Sequence, residues 1–402
     1  MPALDGMRIL GMTQWEAGTS CTQALAWLGA EVVKIERPGT GDPGRSLGLG
    51  FEASEYFVTW NSNNRSVAID LEKPEGRALL LKMLPQFDVF VENYALGVME
   101  KLGLAYDDLK KIHPGIIYAS IKGFGHTGPY AHIKSMDAVT QAAAGAVSVT
   151  GDTEGPPMRP GPTVGDSGSG MQLALAITAA YIQRMRTGKG QYITLSMQEA
   201  MTYYMRTMIA LGSKWGTQVA PRVGNGVGPL INMYPCKPFG ANDYVYIMAV
   251  TDRMWEAICK VIERPDLLTD SRFVDEQHRT DNKETLMEEI SKWTRMRDKR
   301  EAMHKLGDAG VPASAVLDTV DLYTDPHLNE RGFIKTVKHD EVGEINLLGW
   351  PVQMSDSEVP IKPAPLLGQH TAEVLAEYLQ MDESEIQALQ DQGVIGVDSP
   401  SD

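Results

Sequence analysis

Cysteine is scarce: Cys21, Cys236 and Cys259 are too scattered for a CxxC pair or a zinc-ligand spacing. Thiols of this kind belong to a reducing compartment, so the chain reads as a cytoplasmic protein without disulfides. Long apolar runs are also missing. A membrane helix needs ~20 apolar residues, and the longest candidate, residues 171–182, is shorter and contains Gln172 and Thr178. Asp5 and Arg8 interrupt the first apolar stretch, which therefore does not read as a signal peptide. Positive charge is in deficit, with 37 Lys and Arg against 52 Asp and Glu and a net charge of −15. Without a long basic run the chain is a poor ligand for nucleic acid or for an anionic membrane surface. A small anionic substrate stays compatible, because a local basic groove can sit in an acidic protein. No HExxH, no Walker A and no GxGxxG after a strand is present. Arg186-Thr187-Gly188-Lys189-Gly190 lacks the Ser or Thr of a phosphate loop and reads as a helix-ending turn, with Gly188 near C′. The eight histidines, among them His126, His132 and His370, show no metal spacing, so no metal site is expected.

What remains is ordinary globular composition, 43% hydrophobic over 402 residues, enough for two or three domains. Strand-like runs at 7–12, 31–36, 66–71, 88–92, 116–121 and 192–197 alternate with helical ones at 21–28, 75–84, 137–149, 168–186 and 198–211. That rhythm predicts α/β architecture: an open, mainly parallel, Rossmann-like sheet covered on both faces. Around 212–230 the composition turns to Gly, Pro and small polar residues, which marks a boundary. A second region follows, with strands at 244–250 and 314–317 and helices near 252–262, 282–296 and 298–307. Residues 333–354 read as extended and turn-punctuated, and two acidic helices near 371–379 and 383–392 close the chain. The expected division is a large domain over 1–212, a small α+β domain over 213–332, and a return to the large domain over 333–402.

The least ordinary local sequence is Gly165-Asp166-Ser167-Gly168-Ser169-Gly170, which leads into an apolar run. Its bland reading is a helix N-cap. Three glycines around one carboxylate exceed what a cap needs, and glycine permits close approach to the backbone. A carboxylate among free helix N–H donors suits nucleophilic attack on an acyl group, with donors ready for the oxyanion. Gly224-Asn225-Gly226-Val227-Gly228-Pro229 reads either as an interdomain linker or as a mobile lid that excludes water. Lys34 and Arg37 near the second strand's end, Arg65 before the third strand, and Lys101 beyond Glu92-Asn93-Tyr94 read either as surface ion pairs or as cations around a ligand crevice.

In this order the motifs resemble those of the class III coenzyme A transferase family (CaiB/BaiF type). The matching pieces are Leu4-Asp5-Gly6, residues 28–36 (LGAEVVKIE), Asn64-Arg65-Ser66, Val91-Glu92-Asn93, residues 123–129 (GFGHTGP), residues 186–191 (RTGKGQ) and residues 364–371 (APLLGQHT). Seven pieces in the right order cover nearly the whole chain. Cys21-Thr22-Gln23, Ala26-Trp27, residues 120–124 (SIKGF) and Gly165-Asp166-Ser167 are most similar to the formyl-CoA:oxalate branch.

The resemblance implies a CoA-transferase that needs no permanently bound cofactor, takes acyl-CoA and a carboxylic acid as substrates, and forms an interlocked homodimer. Its nucleophile falls on Asp166. It implies that Arg37, Arg65 and Lys101 face the adenosine and phosphates, that Asn93 and Tyr94 face the nucleotide or pantetheine, and that Lys134, Met136 and Asp137 flank the thioester. Gly226 and Gly228 would belong to the lid. Three departures lie near the acyl-group site. Met136 stands where formyl-CoA transferases carry a tyrosine, Glu16 stands for a glutamine, and the glycine loop is short. An anionic Glu16 would repel a dianion such as oxalate and favour a hydroxylated or cationic acid. The rival reading on the same fold is an α-methylacyl-CoA racemase, which carries a histidine immediately before the aspartate aligned with Asp137; here that place is Met136.

Overall fold

The computed structural model describes residues 1–47 and 54–397. β1 (Arg8–Met12), β2 (Glu31–Glu36), β3 (Asn64–Ile69), β4 (Val89–Glu92), β5 (Ile117–Lys122) and β6 (Tyr192–Ser196) run parallel in one sheet. Six strands follow: β7 (Ile231–Pro235), β8 (Tyr244–Met248), β9 (Ala313–Ala315), β10 (Ile334–His339), β11 (Gly343–Leu348) and β12 (Ile395–Gly396). Among the described residues the main sheet has the order β12-β3-β2-β1-β4-β5-β6, with β12 antiparallel to β3. β2 and β3 lie to one side of β1 and β4 to β6 to the other. The loops leaving the carboxyl ends of β1 and β4 therefore diverge and open a crevice.

Both faces of the sheet are covered, which is why its strands are apolar almost throughout rather than alternating. On one face Leu10, Val33, Val67 and Phe90 cluster with Leu80 of the helix Pro74–Met83 and with Val374 and Leu375 of the helix Thr371–Leu379. On the other, Ile9, Val32, Val91 and Ile117 cluster with Cys21 and Leu25 of the helix Ala17–Trp27 and with Leu173 and Ile177 of the helix Val164–Thr187.

The last two helices approach so closely that a Cβ on Gly170 would lie 2.0 Å from Ser20 Oγ and 2.8 Å from the Ala17 carbonyl oxygen. Gly170→Val is therefore expected to destabilise the fold by about 1–3 kcal/mol through overpacking. Urea unfolding with an unchanged midpoint would contradict this.

The chain divides into two compact units, Met1–Ser148 with Arg159–Gln218 and Gly332–Asp402, and Val149–Met158 with Val219–Arg331. The first contains the main sheet and the antiparallel hairpin β10–β11, whose Val337 and Leu347 pack with Phe57, Val58 and Ala364. The second is built on the antiparallel order β7-β8-β9. Its core joins Val245 and Ile247 to Trp255, Ile258, Leu286, Ile290 and Leu306 of the helices Asp252–Val261, Lys283–Thr294 and Lys299–Asp308.

Several elements differ from the sequence pattern. The helix Asp137–Ala143 is shorter than 137–149, ending just before Gly145 at φ +87°. The helix predicted at 168–186 begins earlier, at Val164. The helix predicted at 198–211 is two, Met197–Tyr204 and Arg206–Gly212.

Candidate active site

The loops after β1 and β4 form facing walls of the crevice. The Asn93 side chain ties them together, donating from Nδ2 to the Gln14 carbonyl at 2.8 Å and accepting the Gln14 N–H at 2.9 Å. A buried ion pair holds each loop from behind. Lys34 Nζ donates at 2.7 Å both to Asp42 and to the Thr13 carbonyl, while Asp42 accepts the Trp15 N–H at 3.0 Å. Lys122 Nζ lies 2.7 Å from both oxygens of Glu92 and donates to the Tyr94 carbonyl at 2.6 Å, while Glu92 accepts the Tyr94 N–H at 3.0 Å. Between the walls is a cavity of about 570 Å³ whose lining includes Trp15, Asn93, Tyr94, Lys134, Met136 and Asp166.

Asp166 is the third residue of the helix Val164–Thr187, in its first turn. It is not the cap; Thr163 holds that position. Two more carboxyls stand beside it. The Asp166 N–H donates to Asp137 Oδ1 at 3.2 Å, and Asp137 is fixed through Oδ2 by Gln141 at 2.6 Å. Gly165 makes this approach possible, since a Cβ there would lie 2.9 Å from Asp137 Oδ1. Glu16, the N-cap residue of the helix Ala17–Trp27, accepts the Thr163 hydroxyl at 2.6 Å. All three carboxyls are buried: Glu16 is 3% exposed, Asp137 8% and Asp166 9%.

Burial, then the charges of Glu16 and Asp137, push the Asp166 pKa up to about 8. Burial, moderated by the Thr163 hydrogen bond and reinforced by the negative charge of Asp137, raises Glu16 to about 7. Among the described residues no cation contributes to either shift. A helix N-terminus favours a nearby carboxylate by only about 0.3–1 kcal/mol at the surface and up to ~2 in partly buried sites. One pKa unit is worth about 1.4 kcal/mol, so the helix end does not overcome burial and two like charges. A carboxyl this basic is a stronger nucleophile once ionised.

The sequence-selected residues scatter around this arrangement unevenly. Asn93, Tyr94, Lys134, Met136 and Asp166 line the cavity, and Asp137 is buried behind Asp166. Glu16 is buried between Trp15 and Ala17, both of which line it. Lys101 is exposed on the short helix Val98–Leu102. Arg37 is exposed after β2, 3.6 Å from Glu72. Arg65 is not brought to the cavity. It lies at the amino end of β3, away from the crevice, and its guanidinium is shared by Glu31, Glu373 and Glu377. Gly226 and Gly228 belong to the second unit, where a Cβ on Gly226 would lie 1.7 Å from the Ile231 carbonyl oxygen.

Sequence reading missed Tyr56, whose hydroxyl is pushed up by burial and then by the charges of Glu16 and Asp166. It also missed Thr163 and the role of the Lys34–Asp42 pair. A signal for that pair was present: a lysine inside the otherwise apolar run of β2 needs a buried anion.

The family profile of "CoA-transferase family III" matches residues 4–371. A formyl-CoA:oxalate CoA-transferase of Rhodopseudomonas palustris is 36% identical over 414 residues, covering 98% of this chain and 97% of the relative. One of Streptomyces avermitilis is 36% identical over 410 residues, covering 98% and 99%. Among solved structures, a CaiB/BaiF family protein of Brucella suis superposes with a TM-score of 0.84 at 30% identity, covering 94% of this chain and 99% of that one. The hypothetical protein Rv3272 of Mycobacterium tuberculosis gives 0.78 at 28%, covering 93% and 99%. The chain belongs to CoA-transferase family III, and over nearly its whole length it is similar to formyl-CoA:oxalate CoA-transferases.

Proposed function

We propose that this transferase moves CoA from an acyl-CoA donor, formyl-, succinyl- or similar, to a free carboxylic acid through covalent intermediates on Asp166. The Asp166 carboxylate attacks the thioester carbon; the C–O bond forms, the C–S bond breaks, and CoA leaves as thiolate. The thiolate attacks the Asp166 carbonyl of the mixed anhydride, releasing the donor acid and leaving an aspartyl-CoA thioester. The acceptor carboxylate then displaces the thiolate from that thioester, and the thiolate takes the acceptor's acyl group while Asp166 is freed. Each step exchanges species of similar energy, so neither ATP nor a metal is required. The observation that carries the reading is a basic, buried carboxyl on the wall of a crevice at the strand-order reversal. Arg37 and Lys101 would serve the CoA phosphates, Asn93 and Tyr94 the pantetheine side, and Lys134, Met136 and Asp137 the thioester. The lid role of Gly226 and Gly228 rests on the resemblance alone.

The same reading includes a Rossmann-like origin for the sheet, a cytoplasmic location supported by three free buried cysteines, and a homodimer. Support for the dimer is the exposed apolar set on the first unit: Leu175, Met185, Leu211 and the fully exposed Trp215. Two observations weigh against a racemase: Met136 precedes Asp137 where racemases carry a histidine, and His126 is held by Ser120 Oγ at 2.9 Å and by the Tyr192 hydroxyl. Incubation with acyl-CoA and hydroxylamine is expected to convert Asp166 to its hydroxamate, read by peptide mass spectrometry. An unlabelled Asp166 under turnover would sink the covalent route.

A further inference from the structure

We propose that Trp15 sets the size of the acyl group this transferase accepts, its indole walling the cavity beside Asp166. This deepens the reading above and rests on Asp166 being the carboxyl that is acylated.

The loop after β1 lies along the turn that carries Asp166. Ahead of that residue, Glu16 Oε1 accepts the Thr163 hydroxyl at 2.6 Å. Beyond it, the Ala17 carbonyl oxygen lies 2.8 Å from where a Cβ on Gly170 would stand. Residues 16 and 17 therefore bracket Asp166, and Trp15 leads directly into them. Trp15, Ala17 and Asp166 line the same cavity.

The backbone of Trp15 is fully committed. Its N–H donates to Asp42 Oδ1 at 3.0 Å, and its carbonyl accepts the Thr19 hydroxyl. Gln14 before it is tied in both directions to Asn93. The half-buried indole is committed to nothing. Among the described residues it makes no hydrogen bond, meets no other ring and joins none of the apolar clusters. Trp27 shows the contrast: its Nε1 donates to Asn63 at 3.1 Å, and its ring meets Trp350 edge-on at 6.1 Å. The open side of the Trp15 ring is the cavity. Trp15 also sits at φ +59°, which suits glycine and is unfavourable for any other residue. The clamps on its N–H and carbonyl thus hold a large, rigid ring at a fixed place on the wall, against the preference of the backbone.

In acylation the thioester carbon has to meet the Asp166 carboxylate, so the group that carbon bears occupies the space around it. A fixed ring in that space leaves room for a small acyl group and collides with a long one. The cost falls on the acyl chain and not on CoA, which is common to every donor.

The test is self-exchange. Formyl-, acetyl-, butyryl- and hexanoyl-CoA are each incubated with their own acid carrying an isotopic label, so that donor and acceptor are the same acid. Label entering the acyl-CoA reports the whole covalent cycle, and effects on CoA binding cancel between donors. For the wild type, hexanoyl exchange is expected to be slower than formyl exchange by about tenfold or more. Trp15→Gly, which suits the backbone, is expected to raise the hexanoyl-to-formyl ratio by about tenfold or more, whereas Trp15→Phe, which keeps a ring, stays within about threefold of the wild type. An unchanged ratio in Trp15→Gly, or a wild type that exchanges all four acids alike, overturns the proposal. Should the glycine variant not fold, Trp15→Leu is read by the same ratio and the same criterion. Exchange with hydroxamate on Asp166 but an unchanged ratio removes only the role of Trp15. Absence of both exchange and hydroxamate removes the covalent reading and this proposal with it.

Discussion

Asp166→Ala is expected to lower CoA transfer by on the order of 10⁴-fold or more while acyl-CoA binds with unchanged affinity. Asp166 is one of many residues lining the cavity, and the others are unchanged in the variant. Loss of turnover with intact binding, measured by steady-state rates beside calorimetric titration of CoA, is the pattern of a missing nucleophile. Thermal melts supply a control against misfolding. The folded pKa of Asp166 is raised from 3.8 to about 8, so the folded state prefers its protonated form. Its contribution to stability is greatest below the unfolded value and declines as pH climbs through the folded one. Between about pH 4 and 8 the wild type is therefore expected to lose stability that the alanine variant does not, and the variant's relative Tm should rise with pH. Retained turnover would end the assignment, and a relative Tm that falls with pH would show that the carboxyl is not held neutral by its surroundings.

The parallel sheet was legible because two-sided burial makes its strands nearly continuous apolar runs, and Asp166 was legible because its glycines are dense. The reason for the glycines was not. Gly165 admits Asp137 and Thr140, Gly168 admits Tyr204, and Gly170 admits Ser20 and the backbone of its helix. What approaches this backbone is the rest of the protein, not a ligand alone. Strands β7 and β12 escaped notice because they are short or follow a glycine-rich run without a two-residue alternation. Residues 149–158 join the second unit through contacts distant in sequence, which no local pattern encodes. Arg65 was misplaced for a related reason. A cation near a strand looks alike at either end, and only the parallel register with β2, which pairs Val33 with Arg65, fixes it at the amino end beside Glu31. Glu16 stood out as a substitution, but its partner Thr163 is 147 residues away.

Lys34→Met is expected to destabilise the protein by about 3–5 kcal/mol, since it removes one partner of a buried ion pair and leaves the other charge uncompensated. The side chains of Lys34 and Asp42 are each 1% exposed, at a separation of 2.7 Å. Methionine fills nearly the same volume, so the loss is electrostatic rather than a cavity. Asp42 keeps the N–H groups of Trp15 and Gly44, which soften the penalty without supplying a positive charge. Glu36 also loses support. Burial opposes its ionisation, and Arg45 together with Lys34 holds its carboxyl below the usual range. The damage should extend to binding. Trp15 sits at φ +59°, a conformation that costs a non-glycine residue about 1–3 kcal/mol and persists only while its surroundings enforce it. Lys34 holds the Thr13 carbonyl and, through Asp42, the Trp15 N–H, so both ends of this strained turn depend on it. Freed, the turn relaxes and the cavity wall moves, which should raise KM for acyl-CoA more than it lowers kcat. Asp42→Asn in the Lys34→Met background removes the stranded charge and is expected to recover part of the stability, giving a coupling energy of more than about 1 kcal/mol in a double-mutant cycle. Additive losses, or a KM equal to that of the wild type, would show that the pair neither stabilises this turn nor shapes the site.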